Sequence, residues 1–284
     1  MTDRRALIGT HLSVRGKLAG VPERAAELGA EAVQLFLGNP RGWATTVGNP
    51  ATDALFRAAS AERGLVVLVH SAYLVNLGSP TALTYDRSVA SVAHALGRGA
   101  AVGATGVVVH TGSCVEQGSH GAAMRQVREA LLPMLDLLPD DAPDVLLEPT
   151  AGQGRSLCAT VDDFGPYLEA LEWHPRVKVC LDTCHAFAAG HDLAAPDGMT
   201  AMLDRLVEVA GRGRLAAVHA NDSMDACGAF RDRHQRIGRG RIGLEPFRLL
   251  LAHPTVAGLP VVLETPGGSQ AHAEDIELLH GVRP

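Results

Sequence analysis

The chain has no C-x-x-C pair, and its five cysteines, Cys114, Cys158, Cys180, Cys184 and Cys227, are odd in number and scattered through 284 residues. That excludes both a disulfide framework and a zinc knuckle, so the thiols read as ordinary reduced side chains. No apolar stretch reaches the roughly 20 residues needed to cross a bilayer, and no charged segment leading into an apolar one opens the sequence. A soluble, cytoplasmic protein without a membrane partner is expected. Low-complexity linkers and breaks in composition are also missing, which makes residues 1–284 a single domain. Lysine is nearly absent: Lys17 and Lys178 are the only lysines among 25 basic residues. Arginine suits bidentate contact with phosphate, while the plain alternative is a bias of composition in a chain rich in alanine and glycine.

What the chain does have is a repeated device. Six times an apolar run leads straight into one side chain able to hold a metal: Val67-Leu68-Val69-His70, Val107-Val108-Val109-His110, Val145-Leu146-Leu147-Glu148, Val179-Cys180-Leu181-Asp182, Ala216-Ala217-Val218-His219 and Val261-Val262-Leu263-Glu264. A short apolar run is the mark of a strand buried on both faces, and the polar residue at its end shows where the strand leaves the core. Successive ends are 40, 38, 34, 37 and 45 residues apart, room each time for a helix and a return.

Eight strands are predicted, near 5–10, 32–37, 66–70, 106–110, 145–148, 177–182, 215–219 and 260–265. Amphipathic segments follow near 21–30, 52–63, 84–103, 121–138, 161–173, 199–211, 244–253 and 272–280. Eight β-then-α units predict an α/β fold, a (β/α)8 TIM barrel with its site at the C-terminal face of the strands. Returns from helix to strand are short, as at Gly64 and Ala104-Thr105. The stretches after strands are long, notably 38–50, 71–83, 183–197 and 220–243. In such a barrel those longer loops surround the site.

Two loop motifs add three donors. Asp182-Thr183-Cys184-His185 places an acid and a histidine three apart, and Asp232-Arg233-His234 places them two apart, on one side of an extended backbone. One zinc takes about four ligands, so nine mixed histidine and carboxylate donors with shared carboxylates fit two or three ions. Imidazole with carboxylate suits zinc, with manganese or iron as substitutes. Cys180, Cys184 and Cys227 read as packing or incidental thiols. A lone histidine is more often a core or surface residue than a ligand, and only the common position of these groups makes the case. The net charge of −6 argues against a nucleic-acid partner on its face. Three divalent ions would move it to near neutral and concentrate positive field in the site.

At these residues the sequence resembles the endonuclease IV family of apurinic/apyrimidinic DNA-repair endonucleases, also called AP endonuclease family 2. The matching stretches run along nearly the whole chain: Gly9 to Ser13, Gln34-Leu35-Phe36, Asn39 to Trp43, His70 to Leu77, Val109 to Ser113, Leu147 to Gly154, Leu181 to Asp192, His219 to Ser223, Asp232 to His234, Ile237 to Gly240 and Leu263 to Pro266. The resemblance implies a zinc enzyme with three ions per chain. One would be held by His70, His110 and Glu148, a second by Glu148 as a bridge with Asp182, His219 and Glu264, and a third by His185, Asp232 and His234.

The reaction it implies is hydrolysis of the phosphodiester 5′ to an abasic site in double-stranded DNA, leaving a 3′-hydroxyl, with trimming of blocked 3′ ends, as in base excision repair. Glu148 and Glu264 are then the catalytic carboxylates, Glu264 orienting the attacking water and taking its proton. By the same resemblance Arg41 and Tyr73 lie on loops that enter the duplex. Arg231 and Arg233, in a loop that also carries Arg236, Arg239 and Arg241, suit backbone phosphates. Two positions depart from the family pattern: Pro149 stands where Asn is common, and Met224 where Lys is common. A sugar isomerase or epimerase of the same barrel would share Glu148, Asp182, His219 and Glu264 but would not need the other donors. A DNA-damage binder without activity is the second alternative. A monomer is expected.

Overall fold

Alternation along the strands decides which side chains reach the mouth of the barrel. The computed structural model describes residues 5–14 and 18–284. Lys17, one of the two lysines, lies outside the described residues. The strands are β1 (Leu7–His11), β2 (Ala32–Leu35), β3 (Val66–His70), β4 (Gly106–His110), β5 (Asp144–Glu148), β6 (Val177–Asp182) and β7 (Leu215–His219). A short antiparallel ribbon of β8 (Asp222–Ser223) and β9 (His234–Gln235) follows, and β10 (Pro260–Leu263) completes the barrel. Consecutive barrel strands pair in parallel, and β10 closes onto β1 with Thr10 beside Leu263. Closure removes the sheet edges, as the eight predicted units require.

The helices are α1 (Val21–Glu27), α2 (Pro50–Glu62), α3 (Ala82–Val102), α4 (His120–Asp136), α5 (Phe164–Ala170), α6 (Thr183–Ala189), α7 (Gly198–Ala210), α8 (Leu244–Ala252) and α9 (Gly268–Val282). Local chemistry sets several of their ends. Asn49 accepts from the N–H groups of Ala51 and Thr52 and Pro50 follows it, which starts α2. Gly103, at φ 74, ends α3 in the left-handed conformation that glycine adopts without strain. The sequence-based loops at 183–197 and 220–243 hold more structure than expected, namely α6 and the ribbon. Helix α6 starts because Asp182 accepts the N–H of His185 at 2.8 Å, so an expected metal ligand is also a helix cap. Among the described residues no helix is long and apolar enough to cross a membrane.

Two apolar layers result from the strands' period of two. Residues such as Val67, Val69, Val107 and Val109 pack outward against the helices. Ala32, Leu68, Val108, Leu146, Cys180, Ala217 and Val262 form a separate cluster inside the barrel. Each large side chain buried there contributes roughly 1.5–3 kcal/mol. Two residues beyond each of these seven, on the same face, stand Gln34, His70, His110, Glu148, Asp182, His219 and Glu264. The eighth strand follows suit through Gly9 and His11. A Cβ at Gly9 would lie 1.8 Å from the Ala32 carbonyl oxygen, so only glycine fits. Cys180 belongs to the apolar floor, where burial pushes its thiol up to about 12.

Candidate metal centre

Register brings the strand-end donors together. His110 stands beside Glu148 across β4 and β5, and Asp182 beside His219 across β6 and β7. The donor atoms of His70, His110 and Glu148 lie within 4.8 Å of one another, as do those of Glu148, Asp182, His219 and Glu264, and those of His185, Asp232 and His234. All nine expected donors are therefore gathered, and Glu148 belongs to two groups. Glu148 Oε2 is 3.1 Å from His70 Nε2 and 3.2 Å from His110 Nε2, while its Oε1 is 2.9 Å from His219 Nδ1. Asp232 lies 3.3 Å from His185 Nε2 and 3.0 Å from His234 Nε2. The Sγ of Cys184 also comes within the same range of Asp182 and His234. Burial is the first cause pushing that thiol upward, which leaves it protonated.

Four histidines have one ring nitrogen committed and the other turned to the cluster. The Nδ1–H of His70 donates to the Ser71 carbonyl at 2.7 Å, that of His185 to the Pro149 carbonyl at 3.0 Å, and that of His234 to the Glu264 carbonyl at 3.3 Å. His219 reverses the pattern, with Nε2–H donating to Gln34 Oε1 at 2.8 Å and Nδ1 facing Glu148. Such bonds fix the tautomer and aim a lone pair. The Nε2 atoms of His185 and His234 are buried, and among the described residues they face Asp232 without the angles of a hydrogen bond. A single carboxylate met at poor hydrogen-bond angles leaves such buried nitrogens under-satisfied, and a shared cation would satisfy them. The donor set fits divalent transition metal.

Electrostatics agree. Burial opposes charge on His185, yet Asp182, Asp232 and Glu148 raise it to about 10; the same balance carries His234 to about 9. Burial likewise opposes ionisation of Glu264, but His219 and the other imidazoles outweigh it and hold the carboxyl down to about 2. Glu148 is held well below the usual carboxylate range against its own burial, chiefly by His219 and His110. Without metal, protons on the imidazoles supply the positive charge that these carboxylates demand.

Sequence reasoning missed the side chains that hold the donors. Gln34, fully buried, donates through Nε2 to Glu264 Oε1 at 2.7 Å while accepting from His219. Asn221 donates to Asp182 Oδ2 at 2.8 Å and accepts the N–H of Glu264 at 2.9 Å. His11 lies 3.8 Å from Glu264, and burial pushes its ring down to about 4, so it stays neutral. The signal was available: His11 ends β1, and Gln34 stands one residue before the end of β2.

The expected DNA-facing residues are placed unequally. Tyr73 is half exposed, lines the cavity with the metal donors, and stacks on His110 with centroids 6.2 Å apart. Burial and the nearby Glu264 push its phenol up to about 12, which keeps it a donor. Its backbone N–H donates to the Pro40 carbonyl at 2.9 Å, tying its loop to the one that bears the exposed Arg41. In the 231–241 loop two arginines are already engaged: Arg233 with Asp225 at 2.6 Å, and Arg236 with Asp275 at 2.7 Å and Glu274 at 2.9 Å. Arg231 is exposed at the rim.

Comparison with known proteins agrees with this architecture. A family model described as a xylose isomerase-like TIM barrel matches residues 22–281. A protein named probable endonuclease 4 from Streptomyces coelicolor is 55% identical over 278 residues, covering 97% of this chain and 95% of that protein. The crystal structure of endonuclease IV from Thermus thermophilus superposes with a TM-score of 0.86 at 34% identity, over 97% of this chain and 98% of the other. A 3-keto-D-glucoside 4-epimerase from E. coli superposes at 0.70 with 18% identity, over 98% of this chain and 100% of the other. At that identity the likeness is one of fold alone.

Proposed function

The chain belongs to the endonuclease IV family, and we propose that its barrel mouth holds three zinc ions and hydrolyses the phosphodiester 5′ to an abasic site in double-stranded DNA. Trimming of blocked 3′ ends is the same chemistry at a strand terminus. One observation carries the reading: nine donors fall into three groups, two of which share Glu148, and in the third the buried Nε2 atoms of His185 and His234 both turn to Asp232.

A phosphodiester is negatively charged and repels hydroxide, so the site must supply both a nucleophile and positive charge. When bound, the ions supply a water of lowered pKa together with charge for the phosphate oxygens and the departing 3′-oxygen. The rest falls to side chains. Glu148 spans two donor groups and sets their separation. Glu264, held ionised, faces the cavity, orients the attacking water and takes its proton. Gln34 and Asn221 fix that carboxylate by donating to it and by accepting its backbone N–H. Tyr73 remains a hydrogen-bond donor over His110, and Arg41 and Arg231 face the duplex phosphates.

The sugar-isomerase alternative needs only Glu148, Asp182, His219 and Glu264, and leaves His70, His110 and the trio of His185, Asp232 and His234 without a task. An assay settles the choice. Purified protein is analysed for metal and given a duplex bearing one abasic site, with ketose substrates in parallel. The expected result is about three zinc ions per chain and a nick 5′ to the lesion with a 3′-hydroxyl product. Glu264→Gln should lower kcat by roughly 100-fold or more. Turnover of sugars with the duplex intact would assign the chain to the isomerases. Duplex binding without cleavage would make it a damage binder.

A further inference from the structure

Phe230 is held in view at a cost. It lies two residues before Asp232, its side chain is 53% exposed, and its backbone sits at φ 53, a left-handed conformation that a bulky aromatic rarely adopts. Two backbone bonds keep it there: the N–H of Phe230 donates to the Ala188 carbonyl at 3.0 Å and that of Gly228 to the Phe187 carbonyl at 3.0 Å. Both acceptors are on α6, the helix that carries His185. One edge of the ring is seated on Gly152, in the loop after β5, where a Cβ would come within 2.8 Å of Phe230 Cδ1. The ring is thus fixed on one flank and open on the other, beside the exposed Arg231 and the donors of the third group.

The apolar effect alone would turn such a ring inward. A strained backbone moored to the helix of a metal donor, displaying an aromatic face next to an exposed guanidinium, suits a partner that is both planar and anionic. We propose that Phe230 stacks on a nucleobase flanking the abasic position while Arg231 takes the adjoining phosphate. This rests on the nuclease reading above. Every base has a π-face, so stacking on Phe230 tolerates any sequence, as an enzyme guided by a missing base requires.

The test uses metal-loaded protein with Phe230→Ala, Phe230→Leu and Phe230→Trp, assayed on an abasic duplex and on bis(p-nitrophenyl) phosphate, a diester too small to reach the ring. Expected is a KM for the duplex raised about tenfold in the Ala and Leu variants, with kcat changed less, and restored by Trp. The ratio of duplex to small-diester kcat/KM should fall in step. A Leu variant equal to wild type, or an equal loss on both substrates, would overturn the proposal, since apolar bulk or general distortion would then explain the residue. Wild-type protein that hydrolyses the small diester but leaves the abasic duplex intact would instead sink the nuclease reading.

Discussion

The carbonyl oxygen of Pro149 accepts the Nδ1–H of His185 at 3.0 Å, and this bond directs the other ring nitrogen toward Asp232. Proline removes a backbone N–H beside the shared carboxylate Glu148 but keeps the carbonyl, which is the group that His185 uses. The departure from the family pattern at this position therefore spares the third donor group. His185→Ala should lower the zinc content by about one ion per chain, whereas Pro149→Ala should leave it unchanged. Metal analysis of both variants checks this, and loss of an ion from Pro149→Ala would show that the ring itself, not its carbonyl, shapes the site.

Gln34 governs two donors at once, since its amide nitrogen binds Glu264 and its amide oxygen binds His219. Gln34→Leu keeps the bulk and removes both bonds, leaving buried polar atoms unpaired. Substitutions that remove the support of a metal donor commonly cost about 10–100-fold in metal affinity or activity. The variant should lose that much kcat on an abasic duplex while keeping duplex affinity, as gel-shift titration would measure. An unchanged kcat would mean that Glu264 and His219 orient themselves.

Protonation makes metal loading depend on pH in a definite direction. The folded-state values of His185 and His234 are raised from 6.5 to about 10 and about 9, so both rings are cationic at pH 7 without metal. A cation must displace those protons, hence its affinity falls as pH drops and rises until the rings are neutral. In the metal-free protein the raised values contribute stability that is complete below 6.5 and is lost as pH climbs through about 9 to 10. The gap in Tm between zinc-loaded and chelator-stripped protein should therefore widen from pH 6.5 to pH 9. A gap that stays constant across that interval would show that the rings carry no such protons.

The barrel was legible because buried parallel strands read as apolar runs, and the six donors ending those runs could be found by looking one residue further on. His11 and Gln34 escaped because Gly9-Thr10 interrupts the run in β1 and the run in β2 is only Ala32-Val33. Helix α6 escaped because its cap, Asp182, was read as a metal donor, and it is placed to be both. Arginine partners were invisible for another reason. Arg236 meets Asp275, 39 residues further along the chain, and no spacing rule joins a loop to a helix so far away.

Those partners divide the arginines into two kinds with different signatures. Arg236 is largely covered and bound to Asp275 and Glu274, so Arg236→Ala should lower Tm and leave the salt dependence of duplex binding nearly unaltered. Arg41 and Arg231 are exposed, and each Ala substitution should reduce the slope of log affinity against log salt by about one. The loop that follows Arg236 is clamped by Asp222, whose buried carboxylate accepts N–H bonds from Ser223, Gly240, Ile242 and Gly243 at 2.8 to 3.3 Å. A Cβ at Gly240 would fall 2.4 Å from Asp222 Oδ1, so the glycine is what lets the backbone close on the acid. Asp222→Asn exchanges one acceptor oxygen for a donor and sets it against an N–H, at a cost of about 1.5–3 kcal/mol for a charged acceptor. In a chain of this size that is a fall in Tm of several degrees. The loop it releases carries Arg239 and Arg241, so the salt slope should fall as well. A lower Tm with an unchanged slope would confine Asp222 to stability and remove those two arginines from the DNA path.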